Sequence, residues 1–430
     1  VVPARHHEVT ELNCSPGELS FRARIGGGDQ LVRLQADGGE TATGADPVLA
    51  ASLMPAMRFG GSLTLPGPLS PRVMRSQREY QAVQRAWSLG WEFGDPPFEE
   101  VEVIAPTRTP EAPRESGRVA AFFSGGVDSW STILDHPEIT DLVFIRGFDL
   151  LPGAAVHEAI APEVEARVRE VAEGLDLRLH VVETDLRAFS DPLARWEAYY
   201  PCADMAVAHF LAPRFGRILL AGGLDHEVDD PIGSAHLIDH LWSSEQLEIA
   251  DDGGRYSRVE RTRRIAGHPL VKRTLRVCWE NRDGAYNCGR CRKCLMTMIT
   301  LEAFGTREGI ETFPTDLDLE DVAAIEINQI VLLTLWEDVL DAVRAEGRAD
   351  LEPAVEEAVE RGKRKLDLAP SYRRRLQPGP APLRGDSAPY PPADKQSATA
   401  LAEVLESRSW RLTAPLRKAG AALRRRRSAG

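Results

Sequence analysis

Val119-Ala120-Ala121-Phe122-Phe123-Ser124-Gly125-Gly126-Val127-Asp128-Ser129 runs from an unbroken apolar stretch into a glycine pair framed by serines. A continuous apolar run marks a strand buried on both faces, and the residues after it, 130–134, have a helical pattern. Glycines at such a turn let backbone N–H groups approach an anion closely, and the helix that follows favours negative charge at its start. The hydroxyls of Ser124 and Ser129 add donors, so the physics alone describes a phosphate cradle. The Gly-Lys-Ser/Thr ending of a Walker loop and the Gly-x-Gly-x-x-Gly dinucleotide pattern are both missing.

Working outward, apolar runs recur at 142–145, 177–182 and 218–221, separated by helical patterns such as 161–173 and 202–212. This alternation predicts an α/β fold over 116–310, a parallel sheet with helices on both faces. Residues 1–115 read as a small β-rich domain. It has a hairpin at 18–34 around Gly26-Gly27-Gly28-Asp29, a helix over 71–87 and a strand at 101–105, with 106–117 as a linker. A helical extension covers 311–368, with an apolar face that includes Ile325, Ile327, Ile330, Val331, Leu333, Leu335, Val339, Leu340 and Val343. Residues 369–430 read as a disordered proline-rich linker and a basic tail.

Ser124-Gly125-Gly126-Val127-Asp128-Ser129 after a strand resembles the signature of the PP-loop ATP pyrophosphatases. The resemblance implies that this loop grips the pyrophosphate of ATP while a nucleophile attacks the α-phosphorus, so that substrate is adenylated and pyrophosphate leaves. Ser124, Asp128 and Ser129 would then act at the reacting phosphates. Ile145, Arg146 and Gly147, ending the second strand, would seat adenine and ribose, and Gly222-Gly223, ending a later strand, would complete the nucleotide site. Gly222-Gly223 also reads as a simple turn. Asp128 would help hold Mg2+ on the phosphates, or is an acidic residue favoured at a helix N-terminus.

A second motif sharpens this. Cys278, Cys288, Cys291 and Cys294 are spaced Cys-x9-Cys-x2-Cys-x2-Cys, which suits four thiolates around one structural Zn2+; an iron–sulfur cluster is the rival reading. A phosphate loop followed by this cysteine spacing resembles the 7-cyano-7-deazaguanine synthase branch of the superfamily, in queuosine biosynthesis. The resemblance covers residues 118–305. It implies an ATP-dependent C–N ligase that activates a carboxylate and brings in ammonia, with the four cysteines holding zinc outside the reaction centre. A lysine usual upstream of the cysteines has no clear counterpart; Arg261 or Lys272 stands nearest. Neither the N-terminal unit nor the tail belongs to that pattern.

Asp225-His226-Glu227-Val228-Asp229-Asp230 follows the glycine pair. Asp225, His226 and Asp229 are candidates for contact with substrate, while His236 and His240, four apart, would share one helix face. The net charge is −13, although 408–430 holds eight basic residues and no acidic one. An acidic body argues against broad nucleic-acid binding. Trp410, Leu412 and Leu416 among the cations of the tail would suit an anionic membrane surface or a partner helix, and the tail resembles those of bacterial glycosyltransferases of surface-polysaccharide clusters. No run is long and apolar enough for a membrane span, and 1–7 lack a signal-peptide core, so the expectation is a cytoplasmic enzyme acting on a small molecule with ammonia or an amine as donor, with a homo-oligomer as a further partner reading. The rival functions are amidotransfer to a sugar in surface-polysaccharide biosynthesis, sulfur transfer to a tRNA base using Cys14 and Cys202, and a nucleotide-binding assembly protein without turnover.

Overall fold

The computed structural model describes residues 5–89, 96–110, 117–223, 233–314 and 316–366. They belong to one compact unit, Val1–Ala369; a second, Pro370–Gly430, lies wholly outside them. The linker and basic tail expected over 369–430 therefore lie outside the described residues, and so do Asp225, His226 and Asp229.

In chain order the elements are β1 (His6–Ser15), β2 (Glu18–Ile25), β3 (Gly28–Ala36), α1 (Asp46–Met57), β4 (Gly61–Thr64), α2 (Pro71–Ser88), β5 (Val101–Ile104), β6 (Val119–Phe122), α3 (Val127–Asp135), β7 (Asp141–Arg146), α4 (Ala155–Gly174), β8 (Arg178–Thr184), α5 (Leu186–Ser190), α6 (Trp196–Phe210), β9 (Arg217–Leu220), β10 (Glu248–Asp251), α7 (Arg258–Ile265), α8 (Pro269–Thr274), α9 (Arg292–Ala303), α10 (Leu319–Ala323), α11 (Ile330–Ala345) and α12 (Glu352–Lys365). The strands form one mixed sheet in the order β10-β9-β6-β7-β8-β3-β2-β1-β4-β5. From β10 to β8 every pairing is parallel.

Alternation along these strands divides the core between two faces. Ala120, Val143, Val182, Ile218 and Leu220 pack with α1 and α6 on one face. Ala121, Leu142, Phe144, Val181 and Leu219 pack with α3, α4, α8 and α9 on the other. Each parallel strand therefore carries apolar residues at consecutive positions, which is the physical origin of the unbroken runs. The α/β architecture with helices on both faces is present, but the sheet is mixed rather than wholly parallel.

The antiparallel part comes from the N-terminal residues. β1–β2–β3 is a meander, and β3 pairs antiparallel with β8 through Leu34–Thr184, Gln35–Glu183 and Ala36–Val182. β4 and β5 then add parallel strands beyond β1. β5 is the last strand at one end of this sheet, and β6, the next in chain order, lies in its other half between β9 and β7. At the C-terminus, α11 lies on α9 and α7, and α12 closes over α10 and α11. The buried stripe of α11 is Leu332, Leu333, Trp336, Val339, Leu340 and Val343, so Ile330, Val331 and Leu335 sit at its margin. No described helix is long and apolar enough to cross a membrane.

Within the parallel part, the chain moves from β6 outward through β7 to β8, then crosses back to β9 and β10 on the other side of β6. The carboxyl ends of β6 and β9 therefore border a point where the winding reverses. In open α/β sheets ligands bind in the crevice at such a point.

Candidate anion site and metal centre

The turn after β6 lies at that crevice. Gly125 has φ +79°, a left-handed conformation that side-chain-bearing residues rarely adopt. Gly126 is the N-cap of α3 with no side-chain cap, so the first N–H groups of the helix depend on an outside acceptor. The serines hold the turn in shape. Ser129 Oγ donates to Gly126 O at 3.1 Å, the Gly126 N–H donates to Ser124 Oγ at 3.3 Å, and the two hydroxyls lie 3.5 Å apart. Val127 is fully buried in the core beneath.

Three arginines from distant sequence close on this turn. Asp128 receives Arg258 Nη1 at 2.5 Å on one oxygen and Arg261 Nη1 at 3.0 Å on the other. Arg261 also donates to Gly222 O, tying the end of β9 to the loop. The Arg276 N–H donates to Gly125 O at 2.9 Å. Its guanidinium reaches Asn281 Oδ1 at 3.2 Å and comes within 3.9 Å of Asp149 Oδ2. Arg261 is 2% exposed and Arg276 4%, and both keep a buried donor without a partner, Nη2 and Nε respectively. A buried, unmatched guanidinium N–H is costly unless an anion completes it. Beside the loop, therefore, two buried guanidinium donors are left for an anion to complete.

The other expected site residues fall along the same edge. Gly147 has φ +104°, and a Cβ there would meet Thr184 O at 1.9 Å, so only glycine fits. Arg146 pairs with Glu165 and, at 3.5 Å, with Glu183, and it lines a cavity of about 580 Å³ with Leu150, His157 and Arg169. Ile145 is half-buried between the two. Gly222 has a packing reason of its own, because a Cβ would come within 2.8 Å of Gly253 Cα; a Cβ at Gly223 would meet nothing within 4 Å among the described residues. The Mg2+ expected on Asp128 finds both carboxylate oxygens already held by guanidinium groups.

Of the two lysine substitutes, Arg261 is at the loop, whereas Lys272 Nζ lies over Gly309. Arg258 and Arg276 were not singled out by the sequence. Arg258 did have a signal, the Ser257/Glu260 capping box, which starts α7 with two arginines three apart on one face. His236 and His240 sit in a turn and a short 3-10 segment, not on one helix. The spare thiols are elsewhere. Cys202 is fully buried with Sγ 3.0 Å from the Tyr80 hydroxyl, and burial pushes its thiol up to about 12. Cys14 lines a separate cavity with Arg108 and His209.

The four clustered cysteines do converge. Their Sγ atoms all lie within 4.8 Å of one another and all four residues are buried. Zn–S bonds of about 2.3 Å in a tetrahedron put sulfurs about 3.8 Å apart, and Cys278 and Cys291 show 3.8 Å. This spacing suits one ion, such as zinc, and leaves little room for the several atoms of an iron–sulfur cluster. Backbone N–H groups of Asn281 and Cys291 donate to the sulfurs of Cys278 and Cys288 at 3.1 and 3.3 Å, and the hydrogen bond from Cys278 draws the Cys288 thiol well below the usual range. Asn287 ties the knuckle to its surroundings, accepting from the N–H groups of Val277 and Cys278 and donating to the carbonyls of Leu275 and Thr312. The knuckle thus holds the segment that carries Arg276 against the loop.

Comparison with protein-family models, curated proteins and solved structures gives no match to the chain.

Proposed function

We propose that the protein is an ATP-dependent enzyme of the PP-loop kind, which converts ATP to AMP and pyrophosphate while activating an oxygen acid for attack by ammonia or another amine. The observation that carries this is the pair of buried arginines, Arg261 and Arg276, each with an unmatched donor, beside a glycine turn at the reversal point of the sheet. Ser124, Gly125, Gly126, Val127 and Ser129 would surround the β- and γ-phosphates with N–H and O–H donors. Arg258 and Arg261, oriented by Asp128, and Arg276 would offset the charge that builds on the leaving pyrophosphate. Adenine and ribose would extend toward Ile145, Arg146 and Gly147 on the adjacent strand.

In the first step an acceptor carboxylate oxygen forms a bond to the α-phosphorus, and the bond to the bridging oxygen breaks with its electron pair leaving on pyrophosphate. The amine lone pair then forms a C–N bond with the activated carbon, AMP departs with the C–O electron pair, and the excess protons pass to water. Mg2+ would enter on the triphosphate and screen its charge. Zn2+, held by Cys278, Cys288, Cys291 and Cys294, would brace the segment that carries Arg276. The burial of Cys202 and the distant cavity of Cys14 favour this reading over sulfur transfer. Purified protein with ATP, Mg2+ and a panel of carboxylic acids tests it. Acid-dependent release of pyrophosphate and AMP is expected, and release of ADP alone would contradict it.

A further inference from the structure

A cavity of about 770 Å³ lies at the edge of the sheet away from the glycine turn. Its walls include Ala212 and Pro213, between α6 and β9, and Ser244 and Gln246, just before β10. Both stretches sit at the amino ends of parallel strands, whereas the turn follows the carboxyl end of β6. The segment 39–44 forms a further wall, and it is pinned in place. Arg214 Nε donates to Glu40 O at 2.9 Å, the Ala42 N–H to Phe210 O at 2.9 Å, and the Ala45 N–H to Pro68 O at 3.2 Å. The cavity is therefore preformed by the fold.

Two side chains on its walls are fixed with hydrogen-bonding capacity to spare. His209 is 2% exposed. Its Nε2 lies 2.8 Å from Trp242 O, which only accepts, so Nε2 carries the ring proton. Burial lowers the pKa of the ring and keeps it neutral. Nδ1 is then a bare acceptor, and no described group donates to it. An acceptor left unmatched on a buried ring is costly. Arg108 Nη1 donates to Asp46 Oδ2 at 2.6 Å, and buried Asp46 is itself held by the Ser70 N–H at 2.9 Å. Arg108 Nε and Nη2 donate to no described group. Ala42 is bonded to the residue after His209 and Asp46 to Arg108, and only four positions separate them, so the two side chains face the cavity from neighbouring walls. Charge then selects the ligand. Asp46 already counters Arg108, and exposed Glu40 adds a second carboxylate to the wall. A simple anion would meet two carboxylates for one guanidinium, and a simple cation would leave the free edge of Arg108 unmatched. A molecule with both a carboxylate and an ammonium serves Arg108 with one group and His209 with the other.

We infer that this cavity binds a free amino acid as its zwitterion, the carboxylate on Arg108 and the ammonium on His209 Nδ1. The site lies apart from the glycine turn, so the inference does not rest on the function proposed above. Thermal unfolding of the full chain without nucleotide tests it. Glycine, β-alanine and γ-aminobutyrate space the two groups differently. They are compared with betaine, a zwitterion without N–H, and with sodium acetate and methylammonium chloride, which carry one group each. Concentrations are equal, and ionic strength is matched with sodium chloride. At least one amino acid is expected to raise the midpoint by about 2 °C over betaine, while acetate and methylammonium match sodium chloride. Arg108→Gln and His209→Phe should each abolish this rise. Gln at 108 can still donate to Asp46, so that variant keeps the buried carboxylate partnered and decides alone should His209→Phe fail to fold. The proposal is overturned if no amino acid exceeds betaine, if the rise survives Arg108→Gln, or if acetate or methylammonium alone produces all of it. Failure of ATP turnover would leave this result intact, because no nucleotide enters the measurement.

Discussion

Arg258 and Arg261 set two guanidinium groups on one loop carboxylate, Asp128, and Arg276 closes on the same loop through its backbone N–H, with its own guanidinium toward Asn281 and Asp149. Arg261 and Arg276 are buried, and each keeps one donor without a partner. A hydrogen bond between charged groups contributes about 1.5–3 kcal/mol, so Arg261→Ala and Arg276→Ala should each weaken ATP binding by about 10- to 100-fold. Calorimetry with each variant checks this, and unchanged affinity in a folded variant would speak against the loop as the phosphate site. A different buried carboxylate governs acid stability. Asp141 has a fully buried side chain at the amino end of the interior strand β7, paired with Arg118 and hydrogen-bonded to His180 at 2.9 Å and Thr140 at 2.6 Å. Burial works to raise its carboxyl, but these partners outweigh burial and hold it well below the usual carboxylate range. Its folded value is depressed, so the stabilisation is complete above about pH 4 and is lost as pH falls through the folded value. Asp141→Asn leaves Arg118 and His180 without their anion and should cost about 3–5 kcal/mol at pH 7. Urea unfolding at pH 7 and pH 3 should show a large gap between variant and parent that narrows in acid; a gap independent of pH would refute this role.

At the scale of elements, the cysteine knuckle and the loop form one mechanical unit. Arg276 is two residues before Cys278, and its N–H closes on Gly125. The knuckle needs glycine at position 289, where φ is +71° and a Cβ would come 2.3 Å from Pro314 Cγ. Elemental analysis should find one zinc per chain, and chelation or Gly289→Ala should lower the thermal midpoint and weaken ATP binding together. Full ATP affinity in the zinc-free protein would separate the two sites. Both motifs were legible because each is short and continuous in sequence: β6, the glycine turn and α3 are consecutive, and four cysteines fall within seventeen positions. What was illegible has physical reasons. In β1 the register shifts between Thr10 and Asn13, with Glu11 at φ +53°, and a bulge of this kind breaks the alternation that announces a strand. Every residue of α1 is buried and Pro55 lies inside it, so it has no polar face to produce a helical period. β4, Gly61-Ser62-Leu63-Thr64, and β10, Glu248-Ile249-Ala250-Asp251, lack the apolar run that marks β6 and β9. The contact of Asp128 with Arg258 and Arg261 joins residues more than a hundred positions apart, and local spacing cannot show it.

Over the whole molecule, a single sheet links the N-terminal strands to the site. β3 completes the edge of β8, and α1 packs on α6 over the face formed by Ala120, Val143 and Val182. Residues 117–366 produced alone would expose the β8 edge and this apolar face, so they should aggregate or bind a hydrophobic dye strongly; a soluble fragment that binds no dye and unfolds cooperatively would show that the first strands are dispensable. The same continuity places the reversal of the sheet between β6 and β9, where the glycine turn and the arginines meet. The most direct measurement is a crystal structure with a non-hydrolysable ATP analogue whose α,β-bridge is methylene. The β- and γ-phosphates should lie within hydrogen-bond distance of the 124–129 turn, Arg261 and Arg276. A nucleotide bound elsewhere with this turn empty would contradict the account.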